Sequence, residues 1–497
     1  MSRAGAILFA TATFLLAAAA AVRAQDEAQV RAANQLRGYY DTKVKESVID
    51  NRLDVDLGYK TVSAGIVFLS HTPSDYHSLD PNKYGSHREG IRKRWVNLTH
   101  GPFELRLGDS YATFGSGLAL RILEDQAVEF DNVVDGLHFV ATPSVFTIEA
   151  IAGTNHLNLD VNDLRTTVKG LSARVEPRGG MLFGVNGAVI DSLKGTEPYP
   201  GRDVVVGVQG SGTVPGGIDL NAEYAIQRHN TETRRRNPAE GHGAYASARG
   251  SFGPVALTVE GKDLLRFAHA FSIPPTAARQ HTSTLLNRGS HVRYIRLDDE
   301  RGIQTEALYS ISSDVMLTGN WSRTEARHAT LPSSELLGQA EVTWADAHWL
   351  GYVGQTKEKI PEGLDRTLFE RITFGGDWSR GFGAGWALEA GYETQGTHQL
   401  DLATASYRLP TVYRDNVATI TVSKSPVHSW AATYEWSNDP TATRDSWLWL
   451  EWNIRLGLLG QLTVGGGRMR GGQVCSGGVC RLVDPFEGGR VELLANF

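Results

Sequence analysis

The stretch Ile218-Asp219-Leu220-Asn221-Ala222-Glu223-Tyr224-Ala225-Ile226 decides the fold. Ile218, Leu220, Ala222, Tyr224 and Ile226 alternate with Asp219, Asn221 and Glu223. Successive side chains of a strand point to opposite faces, so this period of two gives one apolar and one polar face. The same beat recurs along the chain. Leu53, Val55, Leu57 and Tyr59 alternate with Arg52, Asp54, Asp56 and Gly58. Phe103, Leu105 and Leu107 alternate with Glu104 and Arg106, and Val255, Leu257 and Val259 with Thr258 and Glu260. Trp386, Leu388, Ala390 and Tyr392 alternate with Glu389 and Glu393, and Trp430 to Trp436 with Glu435. Almost no stretch after Ala24 carries a helical period.

Soluble sandwiches and membrane barrels share this alternation. Three features favour a single large transmembrane antiparallel β-barrel in an all-β chain. Tyr59, Tyr224, Trp321, Tyr392 and Trp436 lie near segment ends, where interfacial girdles take amphipathic rings. Connections alternate short and long, as barrels with short periplasmic turns and long external loops require. The short ones fall near Lys60, His100–Pro102, Thr142–Ser144, Pro177–Gly180, Val214–Gly217, Phe252–Pro254, Ser312–Asp314, Ala345–Asp346, Arg380–Gly383, Ser423–Val427 and Gly457–Gly460. The chain also ends on a strand with Val491, Leu493, Ala495 and Phe497 on one face. The eleven hairpins, one strand near Ala32–Thr42 and the last strand predict about 24 strands, within a range of roughly 18 to 26. Gln399–Tyr407 would break the alternation as a strand and is read as loop or strand extension.

Composition agrees. The chain has 497 residues, with 49 Lys+Arg against 55 Asp+Glu and a net charge of −6, which argues against a nucleic-acid binder. Hydrophobic content of 41% is ample for a fold. Met1–Ala24 joins Arg3, an apolar run and the small-residue site Val22-Arg23-Ala24, and reads as a secretory signal peptide. The mature chain would be residues 25–497, one barrel with long external loops. No later apolar run reaches the roughly 18 residues of a transmembrane helix.

Two segments, Gly108–Ile122 (GDSYATFGSGLALRI) and Pro274–Arg288 (PPTAARQHTSTLLNR), stand out. With the terminal Phe497 they resemble a family of Gram-negative outer-membrane β-barrels of unknown activity. The resemblance implies an outer-membrane barrel, and a C-terminal aromatic read as an assembly signal by the barrel-assembly machinery. It implies no catalytic residues and no cofactor.

The segments are also informative as chemistry. Tyr111, Phe114, Leu118, Leu120 and Ile122 make the first too apolar for a solvated loop, so it folds into the lumen or extends the wall. The second belongs to the longest connection, Asp263–Glu300, and loops of that length are usually functional or disordered. Phe267, Phe271, Leu285 and Leu286 favour an ordered, partly inserted loop. A barrel this wide leaves a lumen, and any plug would come from inward-folded loops.

Candidate lumen or constriction residues follow from the alternation: Asp54, Asp56, Arg106, Glu223, Glu260, Glu389 and Glu435, with Arg266, Arg279 and Arg288 on the long loop. Basic loop residues, including Lys83, Arg88, Arg92, Lys93 and Arg94 and the triplet Arg234–Arg236, would favour anions inside a pore. On an outer surface they would meet lipopolysaccharide phosphates or water. His71, His77, His87, His269, His281 and His291 have no metal-ligand spacing. Cys475 and Cys480 bracket Ser-Gly-Gly-Val and are expected to pair in an oxidising compartment. Catalytic and nucleotide-binding motifs are missing from the sequence. The leading reading is a non-enzymatic outer-membrane channel or transporter for polar solutes or polymer. The alternative is a barrel scaffold or translocon component that holds a separate periplasmic or surface partner.

Overall fold

The structure, a computed structural model, describes residues 28–43, 45–72, 90–128, 130–155, 166–177, 179–192, 201–231, 239–276, 278–279, 281, 283–288, 299–326, 332–359, 367–399, 411–440, 442, 444–476 and 479–497. The predicted signal peptide, Arg234–Arg236 and most of Gln399–Tyr407 lie outside these residues.

Strands are numbered in chain order. The wall begins with β1 (Ala28–Asp41), β2 (Glu46–Tyr59), β3 (Val62–Thr72), β4 (Gly90–His100) and β5 (Phe103–Ser110). Four short strands follow inside the barrel: β6 (Ala112–Phe114), β7 (Leu120–Ile122), β8 (Glu124–Asp125) and β9 (Phe130–Asp131). The wall resumes with β10 (Val134–Ala141), β11 (Phe146–Asn155), β12 (Thr166–Val175), β13 (Leu182–Ser192), β14 (Gly201–Val214), β15 (Ile218–Thr231), β16 (Ala239–Phe252) and β17 (Val255–Leu265). It continues with β18 (Glu300–Ser310), β19 (Val315–Ala326), β20 (Ser333–Trp344), β21 (Ala347–Lys359), β22 (Thr367–Phe382) and β23 (Trp386–Gln399). Then come β24 (Thr411–Lys424), β25 (His428–Ser437), β26 (Ser446–Arg455) and β27 (Gly460–Met469). A small hairpin, β28 (Gly472–Ser476) and β29 (Val479–Val483), precedes the last wall strand, β30 (Phe486–Asn496).

Twenty-four strands form one antiparallel sheet. The pairing of β1 with β30 closes it, in register from Ala33 opposite Asn496 to Asp41 opposite Gly488. Each of the eleven short connections expected from sequence joins two wall strands. Ala345 and Asp346 both have positive φ (48° and 62°), the geometry of a two-residue hairpin turn.

The outer face is apolar. On β14, Val204, Val206 and Val208 are exposed while Val205 between them is fully buried. On β15, Leu220, Tyr224 and Ile226 are exposed and Glu223, Ala225 and Gln227 are buried. Aromatic rings gather on the outside near the short turns: Tyr59, Phe103, Phe146, Trp344 and Trp386 are exposed. Trp386, Trp430 and Trp452 stack in a row at centroid spacings of 6.2 and 6.4 Å. A closed sheet satisfies every ladder hydrogen bond, and with an apolar belt and aromatic girdle it is a membrane-spanning barrel of the outer-membrane type. Among the described residues no helix is long and apolar enough to cross a membrane, so the crossing is made by strands.

Candidate functional site: two inserted segments in the lumen

The chain leaves the wall after Ser110 and returns at Val134, and the segment between them folds inward. β6 pairs with β7 to make a small hairpin. Its turn needs glycine at 115 and 117, where φ is +61° and +95°. A side chain at Gly115 would come within 2.4 Å of both Gln209 and Glu223. Phe114, Leu118, Ala119 and Leu120 are fully buried. They pack on Ile151, Val168, Ile190, Val205 and Leu264 from the wall, with Phe267 and Phe271 from the loop after β17. Each such large side chain contributes roughly 1.5–3 kcal/mol by leaving water.

The two segments are joined by backbone. The Arg121 amide donates to the Phe271 carbonyl at 2.8 Å, and the Ile273 amide to Gly117 at 3.3 Å. His269 Nε2 donates to the Leu118 carbonyl at 3.2 Å, while its Nδ1 accepts from the Phe271 amide at 3.4 Å. The Nδ1 contact needs the neutral imidazole, and burial pushes its pKa down to about 4 although the Leu118 carbonyl favours the protonated ring. Glu223 on β15 accepts the Ser116 amide at 2.5 Å and the Ser116 hydroxyl.

A polar edge ties the same segment to β2 and β4. Lys93 Nζ lies 2.8 Å from Glu124 and 2.6 Å from Asp131. Arg52 reaches Glu124 at 2.7 Å. The Tyr111 hydroxyl donates to Asp131 at 3.3 Å. Burial works against the Glu124 charge, but Arg52 and Lys93 outweigh it and hold its carboxyl below the usual range. Burial pushes the Asp131 carboxyl up, against the pull of Lys93, and burial beside both carboxylates pushes the Tyr111 phenol far up.

The second half of the long loop crosses to the opposite wall. Arg279 pairs with Glu306 of β18 at 2.6 Å, and His281 with Glu335 of β20 at 2.5 Å. Ser283 caps the helix Thr284–Arg288, its hydroxyl accepting the Leu286 amide at 3.1 Å. Glu393 of β23 accepts the Ser283 hydroxyl at 2.8 Å and the Thr284 and Leu285 amides at 3.0 and 2.9 Å. A carboxylate suits a helix N-terminus because the first amides have no partner within the helix. Arg288 grips Glu435 of β25 with two nitrogens, at 2.7 and 3.2 Å. Leu286 packs against Leu337 and Tyr352, and Leu285 beside it is buried as well. β28 lies against this helix and against Gln126–Val128, so three inserted stretches meet in one layer.

The sequence candidates are dispersed over this interior. Glu223, Arg279, Arg288 and Glu435 are part of the layer, and the two arginines are neutralised by wall glutamates rather than forming a free guanidinium cluster. Asp54 accepts from Arg52 at 2.9 Å, and Asp56 is exposed opposite Arg31. Arg106 donates to the Asp109 carbonyl at 2.7 Å and stacks over Trp95 at 4.7 Å. Glu260 accepts the Tyr245 hydroxyl at 3.0 Å. Glu389 is exposed on β23, four residues from Glu393. Arg266 is exposed where the chain leaves β17, away from the layer. Arg92, Lys93 and Arg94, expected on a loop, belong to β4. Cys475 and Cys480 face each other in the β28–β29 register, and their side chains lie outside the described residues. Phe497 exchanges two backbone hydrogen bonds with Ala32 and leaves its ring exposed. Sequence reasoning missed Glu306 and Glu335, had Glu393 only as a polar-face residue, and missed the Lys93–Glu124–Asp131 tether.

Comparison with known proteins adds the following. A family described as a family of unknown function (DUF6029) matches residues 7–178, which includes the first inserted segment and not the second. No curated protein matches the chain. Among solved structures, the P pilus usher (PapC) translocation pore is similar at 8% identity and a TM-score of 0.49, over 94% of this chain and 99% of that one. The siderophore receptor PirA from Pseudomonas aeruginosa is similar at 7% identity and 0.48, over 94% and 80%. OpdK from Pseudomonas aeruginosa, solved with vanillate, is similar at 12% identity and 0.36, over 82% and 99%.

Proposed function

We propose that the protein is an outer-membrane channel for polar solutes, without chemistry of its own, and that the helix Thr284–Arg288 is its movable constriction. One observation carries this reading. The loop holding the helix is fastened to four wall strands through single carboxylates, Glu306, Glu335, Glu393 and Glu435, with Leu285 and Leu286 as its buried apolar residues. Polar contacts have a small net worth where both partners regain water on separating into the lumen, whereas exposing apolar packing is unfavourable in itself. In the same reading the outer belt meets lipid and lipopolysaccharide, and Phe497 is the mark read by the barrel-assembly machinery.

The test is single-channel conductance of the refolded mature chain in a planar bilayer, beside a Glu393→Gln/Glu435→Gln variant. The expected result is small or infrequent steps in the wild type and larger or longer ones in the variant. Silence from both overturns the channel reading and moves effort to a barrel that holds a separate partner.

A further inference from the structure

The inserted layer does not cover the whole inner wall. Across β11 to β17 the inward side chains beneath it are almost fully buried. Around the closing seam, on β26, β30, β1 and β2, several inward charged side chains stay partly open to water, while Trp447 and Trp449 of β26 and Val48 of β2 are buried. Side-chain exposure is 37% for Arg37, 35% for Arg490 and 33% for Asp54. Arg31 and Asp56 are exposed. These residues face inward, because Leu57 and Tyr59 on the alternate positions of β2 face out.

What distinguishes this strip is that both charge signs interleave. Arg31 sits opposite Asp56, and Arg52 bonds Asp54 at 2.9 Å. Arg37 sits 3.4 Å from Glu492 of β30, whose neighbour on the same face, Arg490, pairs with Glu451 of β26 at 3.3 Å. Neighbouring strands are roughly 4.8 Å apart and same-face residues roughly 6.6 Å apart, so several pairs of opposite charge lie within reach of one small solute, although Asp54 and Asp56 are like-charged neighbours and Ala33 and Gln35 separate Arg31 from Arg37. A ring of one sign would concentrate ions of the other sign. A neutral ladder of paired charges has no such bias. It offers each end of a dipolar molecule an opposite charge at several points along the strip, by exchange with weak, partly exposed pairs.

We infer that the seam-side strip is a passage for small zwitterionic solutes, molecules carrying an ammonium and a carboxylate a few ångströms apart. This rests on the channel reading and names its solute class.

The test uses the full mature chain in proteoliposomes. Swelling rates are compared for four solutes of similar size: γ-aminobutyrate, 4-hydroxybutyrate, 4-amino-1-butanol and erythritol. The zwitterion is expected to enter several-fold faster than the anion, the cation or the polyol, with a reversal potential near zero in a potassium chloride gradient. Arg31→Gln/Asp56→Asn, which removes one rung at constant net charge, is expected to erase much of that preference while ion steps persist. Arg31→Gln alone should shift the reversal potential toward cations, and Asp56→Asn alone toward anions. A conducting barrel that ranks the anion or cation first, or whose ranking the double variant leaves unmoved, overturns the inference and spares the channel reading. A folded barrel that passes neither ions nor solutes overturns both.

Discussion

Phe114 and the helix Thr284–Arg288 both sit inside the barrel, and what holds them there differs. Phe114 is fully buried in a cluster of apolar side chains drawn from two inserted segments and seven or more wall strands. The helix is held by Glu393 at its amino end, Gln395 on the Leu285 carbonyl, Glu435 on Arg288 and two buried leucines, Leu285 and Leu286. Apolar burial has no competitor in water, because exposing those groups is the unfavourable event. Carboxylate contacts do have competitors: water, salt and any solute with a donor. The first segment therefore behaves as part of the wall, and the second as something the wall holds.

Four measurements would break or sharpen that contrast. The largest effect is expected from Phe114→Ala, which should lower the opening free energy of residues 111–122 by about 3–5 kcal/mol in hydrogen exchange. If exchange there is unchanged, the apolar cluster is not the fastening. Next is Glu435→Ala, which leaves Arg288 partly buried without its partner. Local stability of the helix should fall by about 1–3 kcal/mol, seen as faster tryptic cleavage after Arg288, with barrel melting unmoved. The third concerns pH and acts on the apolar side. His269 is held at about 4, below its ordinary 6.5, so the neutral ring is the folded form. Its contribution is complete above pH 6.5 and is lost as pH falls toward 4, by up to about 1.4 kcal/mol per pH unit. The protection factor for hydrogen exchange at Leu118–Arg121, corrected for the intrinsic rate at each pH, should fall between pH 6.5 and 5, and His269→Gln should flatten that dependence. The smallest effect should come from Arg94→Ala. Its outward pair with Asp135 is 3.5 Å long and 70% exposed on the arginine side, so the loss should stay below about 0.5 kcal/mol in urea unfolding.

The contrast also explains what was legible in the sequence. Wall strands repeat a period-two pattern over ten or more residues, and hairpin turns concentrate Gly, Pro and Asp, so the eleven turns and the strand number could be read directly. The inward fold of Gly108–Ile122 left a second trace. Asp203-Val204-Val205-Val206-Gly207-Val208 is apolar on both faces, as a strand covered on both sides must be. Glu306 and Glu335 left no trace. They occupy polar-face positions like many others, and only the three-dimensional path of the long loop selects them. The helix they serve spans five residues, too few for a 3.6-residue period to register. The Lys93 tether was hidden for a related reason. A basic triplet reads as a solvated loop until its successive members are assigned to opposite faces of β4.

Both inserted segments share one arrangement with a longer reach. Ser110, where the first leaves the wall, pairs directly with Val134, where it returns. Asp263, near the departure of the second, pairs with Arg301. The ladders on either side would keep their register whatever length of chain bulged between them. Insertions, deletions and recombination at these two points are therefore tolerated by the wall. A lineage carrying this barrel can change the contents of the lumen while inheriting the container unaltered.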